Sequence, residues 1–137
     1  MIALLYYASN TIQGGYMKFE FKNDMPIYTQ LTSYIKLYIV SGKLKPNEKL
    51  PSVRDLAFNA KVNPNTVQKA LEKLENEGLI YTERTNRKYV TNNLELIEKI
   101  KFDLAKEKTK HYIEDMKNLG FSQKDTTLYL QKNNKRE

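Results

Sequence analysis

The feature that most constrains the fold is a pair of helix signals separated by only a few residues, 59–62. Ser52 and Asp55 have the spacing of a capping box, which opens a short helix. After the connection, Asn63 is typical of an N-cap and Pro64 of a first helical position, and Gly78 closes the second helix. Because so short a connection holds two helices at a steep angle, this spacing predicts a helix-turn-helix.

Apolar residues repeat at intervals of three and four along three consecutive stretches, which predicts three amphipathic helices. The first helix begins after Pro26 and ends at Gly42, and residues 43–49 follow it as a polar loop. The apolar positions predicted to face the core are, in chain order, Ile27, Leu31, Tyr34, Ile35, Tyr38, Ile39, Val53, Leu56, Ala57, Val67, Ala70, Leu71 and Leu74.

Residues 79–83 and 88–91 are rich in β-forming side chains and flank a basic tip, residues 84–87. This pattern predicts a β-hairpin, the wing of a winged helix-turn-helix. Asn92 or Asn93 then caps a long helix reaching about Leu119, and Ser122 opens a last short helix with a second capping box. The predicted fold is mainly α with a small β-hairpin: a winged helix-turn-helix domain followed by a short two-helix C-terminal dimerisation segment.

The predicted domains are a leader, residues 1–16, a DNA-binding domain, residues 17–92, and a helical dimerisation tail, residues 93–137. The leader has no charged residue, whereas charges are frequent after Met17. Residues 12–17 can be encoded by ATA-CAA-GGA-GGA-TAT-ATG, which contains a ribosome-binding sequence before an ATG. We therefore expect translation to start naturally at Met17, the alternative being a genuine terminal extension.

The net charge of +7 and the pI near 9.4 favour a polyanionic partner, although a modest basic excess also serves solubility alone. The chain has no cysteine, one histidine and no Gly-rich phosphate loop, so we predict no catalytic residue, no metal site and no cofactor. His111 is interpreted as solvated or dimer-facing, and Glu72, Glu75 and Glu77 as a solvated face. The absence of cysteine and of a membrane span agrees with a cytoplasmic location.

The first turn of the second helix of a helix-turn-helix enters the major groove, where amide and guanidinium groups match base edges. Capping alone accounts for Asn63, whereas Asn65 and Gln68 have no evident structural role. Arg54 lies at a helix start, where a cation is unfavourable to the helix dipole, and this suggests function. The predicted DNA-binding residues are Ser52, Arg54, Asn63, Asn65, Thr66, Gln68, Lys69, Arg84, Asn86, Arg87 and Lys88, with Arg84, Arg87 and Lys88 at the wing tip.

The chain resembles the GntR family of bacterial transcription regulators, and within it the short YtrA-type branch. The resemblance rests on five segments in the family's order and spacing: PIYTQ at 26–30, SGKLKP at 41–46, LPSVRDLA at 50–57, VNPNTV at 62–67 and ALEKLENEGLI at 70–80. It implies that Arg54 grips DNA and that Asn63, Asn65, Thr66 and Gln68 face the groove. Many members have an arginine where this chain has Pro64, and the wing usually carries glycines and a phenylalanine where residues 85–90 read TNRKYV.

The tail, residues 93–137, is too short to enclose a metabolite pocket, so two helices are left to dimerise or to pack back on the winged domain. The resemblance implies a homodimer, often one that represses an operon for an ABC-type transporter. We predict dimer contacts at Ile97, Ile100, Leu104, Tyr112, Ile113, Met116, Phe121 and Leu128.

The resulting hypothesis is a cytoplasmic, homodimeric repressor that binds an inverted-repeat operator in double-stranded DNA. No membrane partner is expected, and the effector ligand is unknown. The alternative is a winged-helix module that binds another protein and no DNA.

Overall fold

The computed structural model describes residues 17–84 and 86–133, so the predicted leader lies outside the described residues. Five helices and one hairpin follow in the described part of the chain: α1 Ile27–Val40, α2 Val53–Ala60, α3 Pro64–Asn76, β1 Ile80–Thr82, β2 Lys88–Val90, α4 Leu94–Asn118 and α5 Gln123–Lys132. The predicted architecture, mainly α with a small β-hairpin and two helices at the C-terminal end, is confirmed. The chain forms two compact units that divide between Lys99 and Ile100, within α4.

The helix ends follow the predicted capping signals. The Ser52 hydroxyl accepts the backbone N–H of Asp55 at 3.0 Å, but Asp55 returns no bond, so only half of this predicted capping box forms. Between Ser122 and Asp125 both reciprocal bonds are present, at 3.1 and 3.2 Å. Asn93 caps α4 by accepting the N–H of Leu96 at 3.1 Å. Local hydrogen bonding therefore sets the helix boundaries as the sequence indicates.

The core of the first unit is formed by the predicted stripes of α1, α2 and α3, where Leu31, Ile35, Leu56, Val67 and Leu74 are fully buried. Leu44, Leu50, Leu79, Ile80 and Val90, contributed by the segments between helices and by the hairpin, complete it. Ile27, Tyr34 and Val53, predicted to be buried, are only half-buried. This core holds α3 against α1 and α2 and leaves its opposite face to solvent.

Gly78 allows the chain to leave α3 and enter β1 directly. Its φ of +82° lies in the left-handed region, and a Cβ at this position would meet Leu96 Cδ2 at 3.1 Å. A side chain is thus disfavoured here for two independent reasons.

The hairpin is antiparallel, with Tyr81 opposite Tyr89 and Thr82 opposite Lys88. Residues 47–50, of which 47–49 were predicted to belong to a polar loop, lie along the other edge of β2. There Leu50 donates its N–H to the Lys88 carbonyl at 2.8 Å, and Val90 donates to the Glu48 carbonyl at 2.9 Å. β2 is therefore paired on both edges, which the sequence did not indicate.

The second unit contains most of α4, the turn at Gly120 and α5. Met116 and Thr126 are buried, and the Phe121 and Tyr129 rings meet edge to face with their centroids 5.8 Å apart. Apolar side chains remain exposed in this unit, among them Leu119, Leu128 and Leu130. Among the described residues, no helix combines the length and apolar character that crossing a bilayer requires.

Candidate nucleic-acid interface

The N-terminal turn of α3 is capped by Asn63, whose side-chain Oδ1 accepts the backbone N–H of Asn65 at 2.7 Å. Pro64 takes the first helical position, where its missing N–H needs no partner. The capping function predicted for Asn63 is confirmed, and it accounts for an asparagine at this position without DNA.

Asn65 and Gln68 are exposed on α3, outside the stripe that contains the buried Val67 and Leu71. Neither side-chain amide makes a hydrogen bond within the described part of the chain. Thr66 is half-buried beside them. An amide with a free donor and a free acceptor can pair with a base edge, adenine above all.

Two of the predicted DNA-binding residues, Ser52 and Arg54, lie at the start of α2, and only Ser52 has a hydrogen bond among the described residues. The Ser52 hydroxyl is engaged in the cap described above. Arg54 is exposed, and its guanidinium has no ion pair or hydrogen bond among the residues described here. A free guanidinium presents several donors in one plane, the geometry that suits a phosphate or a guanine.

Lys69 is exposed, but its ammonium lies 4.0 Å from the centroid of the Tyr28 ring in α1. This cation–π contact gives the side chain a structural role that the sequence did not reveal. A DNA contact by Lys69 therefore has to compete with an existing interaction.

The hairpin tip presents Arg84, Asn86 and Arg87, all exposed. Asn86 has a φ of +65°, and the tip closes with a 2.8 Å bond from the Glu83 N–H to the Arg87 carbonyl. Neither arginine side chain has a partner within residues 17–84 and 86–133. Two unpaired cations on a short turn can follow a phosphate backbone.

Lys88 was predicted to begin the second strand and to belong to the basic cluster at the wing tip, and the strand position is confirmed. It lies in β2, and its side chain, 21% exposed, bonds Glu75 Oε1 at 3.0 Å and the Thr82 hydroxyl at 2.7 Å. The Thr82 hydroxyl in turn donates to Glu75 Oε2 at 2.9 Å. The hydrogen bond from Lys88 holds the pKa of Glu75 below its usual value, against the opposing effect of burial.

The interpretation of Glu72, Glu75 and Glu77 as one solvated face is wrong for Glu75 and Glu77. Glu77 pairs with Lys36 of α1 at 2.8 Å and with Lys73 at 3.9 Å, while Glu75 bonds the hairpin. Of these three glutamates, Glu72 alone is exposed and has no partner among the described residues.

Sequence reasoning also missed an aromatic surface residue. Phe58 of α2 is 82% exposed and lies one helical turn after Arg54. An apolar residue outside the buried stripe of an otherwise amphipathic helix was the available signal. Among the described residues, no group of three histidine, aspartate or glutamate side chains is placed to hold a metal ion.

The predicted dimer contacts differ in how accessible they are. Met116 is buried within its own unit, whereas Leu128 is 52% and Tyr112 37% exposed. The remaining members, Ile97, Ile100, Leu104, Ile113 and Phe121, are half-buried. Leu128 is therefore the most informative of these residues for a test.

The family model described as "Bacterial regulatory proteins, gntR family" matches residues 27–90, which span α1 to β2. The HTH-type transcriptional repressor YtrA of Bacillus subtilis (strain 168) is 42% identical over 96 residues, 69% of this chain and 73% of the relative.

Two solved structures extend this similarity. A GntR family transcriptional regulator from Listeria monocytogenes is 38% identical, with a TM-score of 0.76 over 82% of this chain and 98% of the other. AraR(DBD) in complex with operator ORX1 is 26% identical, with a TM-score of 0.51 over 55% of this chain and 96% of the other. The candidate DNA-binding residues lie within the span that matches the family model.

Proposed function

Since this chain belongs to the GntR family of bacterial transcription regulators, we propose that it is a homodimeric repressor that binds an inverted-repeat operator through α3 and the hairpin tip. Asn65 and Gln68 read base edges, and Thr66 lies against a phosphate or a thymine methyl. Arg54, Arg84 and Arg87 hold the phosphate backbone. Its activity is DNA binding and not catalysis.

The observation that carries this proposal is the pair of exposed, unpartnered amides on the first half of α3. A surface amide without an intramolecular role is free to exchange its water for a base edge. The net charge of +7 supports the same partner, because phosphate contacts release counterions. Binding should therefore weaken steeply as salt rises.

The test uses a duplex that the wild-type chain selects from a random-sequence pool, with fluorescence anisotropy as the measurement. Arg54→Ala should weaken binding to all DNA, whereas Asn65→Ala and Gln68→Ala should reduce only the preference for the selected duplex, each by about 1–3 kcal/mol. Glu72→Gln, exposed on the same helix, is the control and should retain the preference. Wild-type affinity in all three alanine variants would contradict the assigned face.

The proposed dimer is formed by the second unit, where apolar side chains such as Leu119, Leu128 and Leu130 are exposed. Leu128→Lys should shift sedimentation equilibrium towards monomer, and Thr127→Lys, which adds the same charge at the adjacent exposed residue, should not. A wild-type chain that is monomeric in the same measurement would contradict the proposed dimer.

The proposed target is an operon such as one encoding an ABC-type transporter. A palindrome in the promoter of the regulated operon, bound by the chain in footprinting, would identify it. A winged-helix module that binds a protein is the second candidate, and exposed Phe58 is the observation that favours it. Failure to select any duplex would favour that candidate.

A further inference from the structure

The side chains of Glu75, Thr82 and Lys88 form a closed triangle of hydrogen bonds between the last turn of α3 and the hairpin. Lys88 donates to Glu75 at 3.0 Å and to Thr82 at 2.7 Å, and Thr82 donates to Glu75 at 2.9 Å. Each of the two carboxylate oxygens has its own donor. Such an arrangement fixes an orientation, because a shift of either element breaks two bonds together.

The triangle acts on one face of the hairpin while a different contact holds the other. Thr82 and Lys88 are directly opposite each other and therefore share a face, whereas Tyr81 and Tyr89 point to the reverse side. There the two tyrosine rings stack at 5.6 Å, and the Tyr81 hydroxyl bonds Asn47 Oδ1 at 3.2 Å. The hairpin is thus held on both faces by side chains.

We propose that Glu75 is a positioning residue for DNA binding, which sets the hairpin tip relative to α3 by holding Lys88 and Thr82. This inference rests on the proposed function, because it assumes that α3 and the tip contact one duplex. Lys88 then acts through Glu75 and not as a phosphate ligand. Glu75 itself touches no DNA, as a carboxylate would repel phosphate.

Removing the Glu75 charge distinguishes a positioning role of Glu75 from a direct contact of Lys88 with phosphate, because the two roles predict opposite changes in DNA affinity. If Lys88 bound phosphate, Glu75→Gln would release the ammonium and add one net positive charge, so DNA would bind more tightly. If Glu75 positions the tip, the same variant loosens the hairpin and weakens binding. Glu72→Gln makes the same change of charge on the same helix without breaking any contact.

The experiment compares wild type, Glu75→Gln and Glu72→Gln on the duplex selected by the wild-type chain. We expect Glu75→Gln to bind roughly tenfold more weakly and Glu72→Gln to bind as well as wild type or slightly better. Far-ultraviolet circular dichroism and the melting temperature check that both variants remain folded. Tighter or unchanged binding by Glu75→Gln overturns the proposal.

A second readout follows the hairpin without DNA. Amide hydrogen exchange in β1 and β2 should be faster in Glu75→Gln than in Glu72→Gln, and unchanged exchange would also overturn the inference. The proposed function fails separately, since in that case the wild-type chain itself selects no duplex. A wild type that binds, beside a Glu75→Gln variant that binds equally well, refutes only the role of Glu75.

Discussion

The two halves of α3 share one buried stripe but differ in what their outer side chains contact. In the first half, Asn65 and Gln68 are exposed with no partner in the described chain. In the second half, Glu75 is held by Lys88 of the hairpin, and Glu77, the residue that caps the helix end, is held by Lys36 of α1. A single regular helix can therefore leave one end open to an external ligand while its other end holds the neighbouring elements together.

The largest expected effect is on the stability that both halves of α3 owe to their shared buried stripe. Leu74 is fully buried in the stripe, so Leu74→Ala should lower the free energy of unfolding by about 2–5 kcal/mol through lost contacts and a cavity. Urea denaturation followed by circular dichroism measures this change. A loss below about 1 kcal/mol would mean that the stripe is less tightly packed than the structure indicates.

The next effect breaks the comparison by adding a carboxylate to each half in turn. Gln68→Glu should weaken DNA binding by about 2 kcal/mol, because the new charge faces the phosphates and the amide donor is lost. Asn76→Glu adds the same charge roughly 12 Å along the helix, beyond the Debye length at physiological salt. Anisotropy titrations of both variants should show a much smaller loss for Asn76→Glu; equal losses would contradict the division of the helix.

A smaller effect distinguishes the cap from the reading face. Asn63→Ala removes the bond to the Asn65 N–H and should lower stability by about 1 kcal/mol. Asn65→Ala removes an exposed side chain without a partner, so its stability should stay within about 0.5 kcal/mol of wild type. Thermal unfolding of the pair measures the difference, and similar values in both variants would argue against the cap.

The smallest effect concerns pH. Because Lys88 holds the folded pKa of Glu75 below its ordinary value of 4.5, the carboxylate stabilises the fold above that pH, and this contribution is lost as pH falls through the folded pKa. The advantage of wild type over Glu75→Gln should be complete at neutral pH and shrink below about 4.5. Since Glu75 is partly exposed, this difference in the free energy of unfolding should change with pH by only about a few tenths of a kcal/mol. Denaturation at graded pH measures it. A constant difference would contradict the assignment.

Local signals predicted most of the fold, because helix caps and apolar periodicity act over one or two turns. They placed α3, the hairpin and the Ser122 capping box correctly. Contacts between distant residues were not predicted: Lys69 with Tyr28 and Lys88 with Glu75 depend on how whole elements pack. The pairing of residues 47–50 with β2 was missed for the same reason, since polar residues in a short segment give no period-two pattern.

The freedom of Asn65 and Gln68 from intramolecular bonds has an evolutionary consequence. Under the proposed function, a substitution at either position changes the DNA sequence that is recognised without disturbing a contact that the fold requires, so a duplicated gene can acquire a new target one codon at a time. Glu75, Thr82 and Lys88 do not have this freedom, because a change in one removes a hydrogen bond from each of the other two. Divergence among such paralogues should accumulate at the first pair of positions and proceed by linked replacements in the second group.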